Sequence, residues 1–361
     1  MTDAGFPIIK YLPNQSARAR GQSHGESFRQ AIGELARIRR DLMIQKNPGL
    51  RPERIADLAA RQWAATEQFE PEIADEVEGI AEGAKLSIED LVVLNNYTDF
   101  RDIHVPDQGC SVIYVNRGEP LAGQTWDMHA SAKNYVCCLE IPAPVPDERQ
   151  IVFSLVGCVG LMGFNGRGLM VGVNNINTDG ARPGVLWPVV IRHMLRSSTF
   201  DEMRRRLVAA PVTSGHSYLI ANRRQAEFWE VMPDLAEKVS ALASGDRGHL
   251  FHTNHCLGPR SRSREIVSAQ SSTTHVRFGL LEKKLDRVQS FGDAYGLLND
   301  HENYPQAICS NFQSGVQDPS VTCGGALGDL ASGKITLWRG DELYDGNFVR
   351  HDLHLDIESR G

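Results

Sequence analysis

No apolar run in the 361-residue chain is long enough to cross a bilayer. The longest, residues 151–164, spans 14 residues with three glycines, against the roughly 20 a membrane helix needs. The first ten residues hold an acid, Asp3, and no apolar core of signal length, so no secretory signal is expected. Cysteine is scarce: seven residues cannot build a disulfide scaffold, and an odd number cannot pair fully. Reduced thiols in a soluble, cytoplasmic protein are the expectation. Positive charge is also short, with 38 Lys and Arg against 45 Asp and Glu, a net charge of -7. That balance argues against a nucleic-acid partner, which requires a basic surface. There is no HExxH zinc signature, and the glycine-rich stretches lack the Lys-Ser/Thr of a phosphate loop. No metal or cofactor is expected.

What is present is globular: 41% hydrophobic and 23% charged residues exclude wholesale disorder. The first 109 residues read as helical. Ser23-His-Gly-Glu26 has the capping-box pattern, and apolar residues follow at Phe28, Ile32, Leu35, Ile38 and Leu42, near the helical period. Further helices are predicted after Pro52, after Pro71 and from Ser87-Ile-Glu-Asp90. This region holds 13 basic and 18 acidic residues, so most of the negative charge sits here, on solvated helix faces. From Cys110 the texture becomes β-rich. Strands are predicted over 111–115, 121–126, 135–141, 151–156, 168–173, 217–221 and 227–232, and near Ile308 and 335–337. Helices are predicted over 186–196, 200–209, 275–287 and 291–298. Helices bracketed by strands imply two sheets with helices outside them.

Gly109-Cys110 stands at the junction, preceded by Gln108 and followed by Ser111. A cysteine opening a strand is ordinarily buried packing. Glu76-Val-Glu-Gly-Ile-Ala-Glu-Gly83, Gly109-Cys110 and Gly123-Gln-Thr-Trp-Asp127 change its meaning. So do Gly163-Phe-Asn-Gly-Arg-Gly-Leu-Met-Val-Gly-Val-Asn-Asn175, His252-Thr-Asn-His255, segments 271–281 and 322–340, and Gly21-Gln-Ser-His-Gly-Glu26. In this order they resemble the acyl-coenzyme A:6-aminopenicillanic acid acyltransferase (isopenicillin N acyltransferase) family of N-terminal nucleophile hydrolases.

The resemblance implies an α+β fold, a four-layer αββα sandwich preceded by a helical segment. It also implies self-cleavage of the Gly109–Cys110 bond, giving a retained chain 1–109 and a catalytic chain 110–361. Glycine tolerates the strained backbone such a bond needs. The freed α-amine of Cys110 would have a pKa of about 7.7–8.0 and the thiol about 8.5, so one residue supplies base and nucleophile near neutrality. No separate serine triad or nucleophile elbow is expected. By the same resemblance Asp127 holds the amine, Asn254 is the oxyanion donor with Asn175 assisting, and Arg277 serves the substrate site; His129 is expected to line the pocket because it follows Asp127 closely. The implied substrate is a small N-acyl amine, β-alanyl amides among them, with water or an amine taking the acyl group. The cleaved chains are expected to stay associated, with homo-oligomerisation left open. Three positions depart from the family pattern. Thr125 replaces an Asn, Gln124 replaces the Arg of the bile-salt branch, and Ser272-Thr-Thr-His275-Val-Arg277-Phe278 offers two candidates for one arginine position.

The rival chemistry is a zinc hydrolase on His249, His252 and Cys256, which are ligand types, although a spacing of three along a strand sets His249 and His252 on opposite faces. The other alternative is a non-cleaving binding protein of the same fold. Cys137, Cys138, Cys158, Cys309 and Cys323 read as core.

Overall fold

A computed structural model of the chain describes residues 5–47, 49–99, 109–142, 149–266, 273–310 and 318–357. Gln108, Ser271 and Ser272 lie outside the described residues. The chain opens with β1 (Ile8–Lys10), then α1 (Ala17–Ser27), α2 (Arg29–Lys46), α3 (Pro52–Phe69), α4 (Pro71–Ala84) and α5 (Ile88–Asn96). Next come β2 (Val112–Asn116), β3 (Pro120–His129), β4 (Val136–Ile141), β5 (Gln150–Leu155), β6 (Met162–Asn165) and β7 (Met170–Asn175). The helices α6 (Trp187–Leu195) and α7 (Phe200–Ala209) precede β8 (His216–Ala221), β9 (Ala226–Met232), β10 (Leu235–Leu242) and β11 (Gly248–His252). The chain closes with α8 (Pro259–Arg262), α9 (Thr274–Lys284), α10 (Phe291–Leu298), β12 (Ser320–Asp329), β13 (Lys334–Arg339) and β14 (Val349–His354).

The strands form two sheets, ordered β1-β4-β5-β6-β7-β8-β9-β10 and β11-β2-β3-β12-β13-β14. They meet face to face. Gln124 of the smaller sheet exchanges both amide hydrogen bonds with the main chain of Val173 in the larger, at 2.7 and 3.0 Å. It therefore ties the layers together. On the far side of the smaller sheet, Leu280, Leu281 and Leu298 of α9 and α10 bury against Ile113, Val115 and Leu327. On the far side of the larger sheet, α6 packs Leu195 and Arg192 over Gly163 and Gly160. The result is the αββα sandwich, and its inner strands β3, β5 and β8 are buried on both faces.

The N-terminal segment differs from the sequence expectation. It is not purely helical, because β1 pairs in parallel with β4, Ile8 against Cys138. A three-residue strand carries too little period to be seen. Nor does Ser23 cap a helix. The cap of α1 is Ser16, and Ser23 sits mid-helix with its hydroxyl bonded to the Ala19 carbonyl at 3.0 Å. Gly21-Gln-Ser-His-Gly25 literally spells the G-x-S-x-G elbow pattern, yet its place inside a helix denies it the strand-turn-helix an elbow requires. The glycines serve packing instead. A Cβ on Gly21 would lie 2.0 Å from the Glu76 carbonyl, one on Gly25 2.3 Å from that of Ile80, and one on Gly79 2.1 Å from that of Arg18. So α1 and α4 touch backbone to backbone, which explains both motifs. Ile308 is in a loop and not in a strand. A capping box is instead formed by Ser87 and Asp90, at the predicted start of α5.

Candidate active site

Strand register brings the site together. The β2–β3 pairing continues past its formal end. Ser111 and Thr125 exchange bonds through the Thr125 hydroxyl and N–H, each 3.0 Å, and the Asp127 N–H reaches the Gly109 carbonyl at 2.8 Å. Thr125 thus takes the Ser111 amide in this chain. On its other side Asp127 registers with Thr322 of β12, whose hydroxyl donates to Asp127 Oδ1 at 2.7 Å. Beyond β11, which pairs His252 with Val112, the next residues bring Asn254 to Cys110.

The main chain of Cys110 is held on both sides. Its N–H donates to Asn254 Oδ1 at 2.8 Å. Its carbonyl accepts from Asn174 Nδ2 at 2.8 Å and from Arg277 Nη1 at 2.7 Å. Arg277, in the first turn of α9, also donates to Asn254 Oδ1 at 2.8 Å, Ser111 Oγ at 3.1 Å and Thr273 Oγ1 at 2.9 Å. It is only 2% exposed. Such a planar fork suits several acceptors in fixed geometry. The Asp127 carboxylate lies against Gly109, where a Cβ would stand 2.4 Å from Oδ2.

Electrostatics follow from burial. Burial, then the nearby Asp127 charge, pushes the Cys110 thiol up to about 12; the Asp127 N–H and Arg277 pull the other way. Burial also raises the Asp127 carboxyl, against Arg277 and the Thr322 hydroxyl. Burial lowers the Arg277 guanidinium, opposed by Asp127 and Cys110. A thiol raised that far is protonated near neutrality, so any attack by it requires a base to take its proton.

Residues 115–341 match the model of the family described as acyl-coenzyme A:6-aminopenicillanic acid acyl-transferase. The chain belongs to that family. It is 27% identical over 350 residues to the acyl-coenzyme A:6-aminopenicillanic-acid-acyltransferase 40 kDa form of Emericella nidulans, covering 94% of this chain and 95% of that one. Among solved structures it resembles a Caenorhabditis elegans N-acylethanolamine-hydrolyzing acid amidase ortholog, at 11% identity and TM-score 0.42, covering 62% of this chain and 92% of that one. It also resembles a mutant of the conjugated bile acid hydrolase from Clostridium perfringens, at 9% identity and TM-score 0.39, covering 69% of this chain and 94% of that one. Family membership makes the chain an enzyme of the acyltransferase and amide-hydrolase type.

Within this family framework, Cys110, Asp127, Asn254, Gly109 and Arg277 converge. Arg277 and not His275 reaches Cys110; His275 lies with its ring 4.2 Å from that of His255. Asn175 contributes through its main-chain carbonyl, which accepts from Asn254 Nδ2 at 2.9 Å. His129 ends β3 and bonds Ser131 at 2.7 Å, with Asp318 3.4 Å away. The rival zinc set does not converge. His252 bonds Glu230 at 2.9 Å, His249 faces Arg117 and Asp286, and Cys256 is buried in a separate cluster with Met232. Sequence reasoning did not assign Asn174 or Thr322. Strand alternation was the available signal for Asn174, since Gly172, two residues before it, faces Val112 and Gln124 across the sandwich.

Proposed function

We propose that the chain is a self-processing amidohydrolase or acyltransferase with Cys110 as nucleophile. The carrying observation is that both main-chain polar groups of Cys110 are clasped by buried side chains while Asp127 packs against Gly109. In the precursor, Cys110 Sγ attacks the Gly109 carbonyl carbon. The S–C bond forms, the C–N bond breaks, and the thiol proton ends on the departing nitrogen. Water then opens the thioester, leaving a Gly109 carboxylate and a free Cys110 amine and thiol. The Asp127 N–H, already on the Gly109 oxygen, steadies the charge that develops there.

In the mature enzyme the Cys110 amine takes the thiol proton and Asp127 and Asn254 orient it. The thiolate adds to a substrate amide, the amine product leaves with that proton, and water or a second amine accepts the acyl group. Small N-acyl amines, including β-alanyl amides, are the proposed substrates. The test is a denaturing gel with N-terminal sequencing. Fragments of about 12 and about 28 kDa are expected, dividing 40.0 kDa between 109 and 252 residues, the larger beginning Cys-Ser-Val. Cys110→Ala should stay intact and inactive. One uncut band with full amidase activity overturns the proposal.

A further inference from the structure

His301, Cys309 and Asp341 form a second cluster, between the loop after α10 and the turn after β13. One ligand atom from each lies within 4.8 Å of the other two. His301 Nε2 is 3.2 Å from Asp341 Oδ2, and Cys309 Sγ is 3.6 Å from the same oxygen. A tetrahedral ion with zinc bond lengths separates nitrogen from oxygen by about 3.3 Å and sulfur from oxygen by about 3.5 Å. The observed spacings therefore fit without movement of these pairs.

Three further features point to a cation. A thiolate, a carboxylate and a neutral imidazole balance a divalent charge, so the filled site would be neutral in a buried place. The second carboxylate oxygen of Asp341 is already engaged, accepting from the N–H groups of Leu343 at 2.9 Å and Tyr344 at 3.3 Å. That leaves Oδ2 facing the cluster. The His301 ring stands edge-on against Tyr344 at 5.0 Å, which fixes its orientation. Mixed sulfur, nitrogen and oxygen donors select zinc-like ions over calcium or magnesium.

We propose that His301, Cys309 and Asp341 bind one divalent zinc-class cation, with water as the fourth ligand. Binding displaces the Cys309 thiol proton to solvent. The ion would join the 299–310 loop to the turn after β13. That loop supports the active site directly: next to Cys309, the Ser310 N–H donates to the Thr322 hydroxyl at 2.9 Å, and this hydroxyl donates to Asp127. The site would thus act as a clamp on the Asp127 support.

The probe is Co²⁺ added to metal-free full-length Cys110→Ala, so that no signal arises from the reactive thiol. The expected result is one equivalent bound, with a thiolate-to-cobalt charge-transfer band and tetrahedral d–d bands, all displaced by Zn²⁺. Cys309→Ser in the same background should lose the charge-transfer band. His301→Ala, at a partly exposed position, should weaken binding at least tenfold. Cys256→Ser should retain every band. Absence of the bands in Cys110→Ala, or their survival in Cys309→Ser or at full affinity in His301→Ala, overturns the site.

Discussion

Arg277 donates to the carbonyl oxygen of Cys110 at 2.7 Å across 167 residues of chain. The same guanidinium lies 2.8 Å from Asn254 Oδ1, which accepts the Cys110 N–H. One buried cation therefore sets the position of the Cys110 main chain and offsets the charge of Asp127. Removing it strands Asp127 without a counter-charge and leaves the Cys110 carbonyl with Asn174 alone.

Arg277→Ala is expected to destabilise the fold by roughly 3–5 kcal/mol, the usual result of leaving a buried charge unpaired, and to block chain cleavage. Arg277→Lys keeps the charge but cannot span the acceptors, so it should fold and process slowly. Thermal unfolding and a cleavage time course separate the two effects. Wild-type cleavage in Arg277→Lys would deny the fork its role.

Gly109→Ala places a methyl group 2.4 Å from Asp127 Oδ2. The carboxylate has to move, and processing should slow by at least tenfold while Cys110 remains present. A time course by intact mass reads this directly. Unchanged cleavage would mean that the Asp127 contact is incidental.

Thr322→Val tests the protonation of Asp127. Burial raises this carboxyl, and the Thr322 hydroxyl opposes the rise. Without the hydroxyl the pKa goes higher still, so ionised Asp127 is lost at a higher pH as acidity increases. The acid limb of the kcat/KM profile should move up by about one pH unit, the equivalent of one hydrogen bond. The alkaline limb should stay in place, and Thr322→Ser should restore the wild-type profile. An unmoved acid limb would remove Asp127 ionisation from the mechanism.

Gly79→Ala and Gly33→Ala should act in opposite directions. A methyl on Gly79 meets the Arg18 carbonyl at 2.1 Å, whereas nothing lies within 4 Å of one on Gly33. Overpacking between α1 and α4 should cost about 1–3 kcal/mol. Filling the open position in α2 should stabilise by about 0.4–1 kcal/mol. Denaturant unfolding of the two variants provides the comparison.

Much of the architecture was legible because local signals were strong. Pro52, Pro71 and Ser87 mark helix starts whose capping geometry is local, and the β texture after Cys110 follows from its residues alone. One misreading concerns a partner distant in sequence and the other a helix start a few residues upstream. β1 is a strand only because β4 lies beside it, and the interior position of Ser23 is set by a start at Ser16. At the site, Cys110, Asp127, Asn254 and Arg277 were reachable through ordered motifs. Asn174 and Thr322 were not assigned, because each acts by the register of strands that meet only in the folded sandwich. Asn175 was expected to act through its side chain, but its observed contact with Asn254 is through the peptide carbonyl, a contact composition cannot encode.

The seam between residues 5–99 and the sandwich has a consequence for the life of the enzyme. β1 pairs with β4, Glu76 holds Arg192 through both carboxylate oxygens, Thr66 takes the Leu186 N–H, and Asn95 grips Gly157 and Val159. If the Gly109–Cys110 bond is cut as proposed, only non-covalent contacts of this kind join the two pieces. Unfolding then releases two molecules where there was one, and recovery becomes a second-order encounter that dilution slows. Refolding of an uncut precursor would stay a first-order event, whereas a processed enzyme would depend on its two pieces not coming apart.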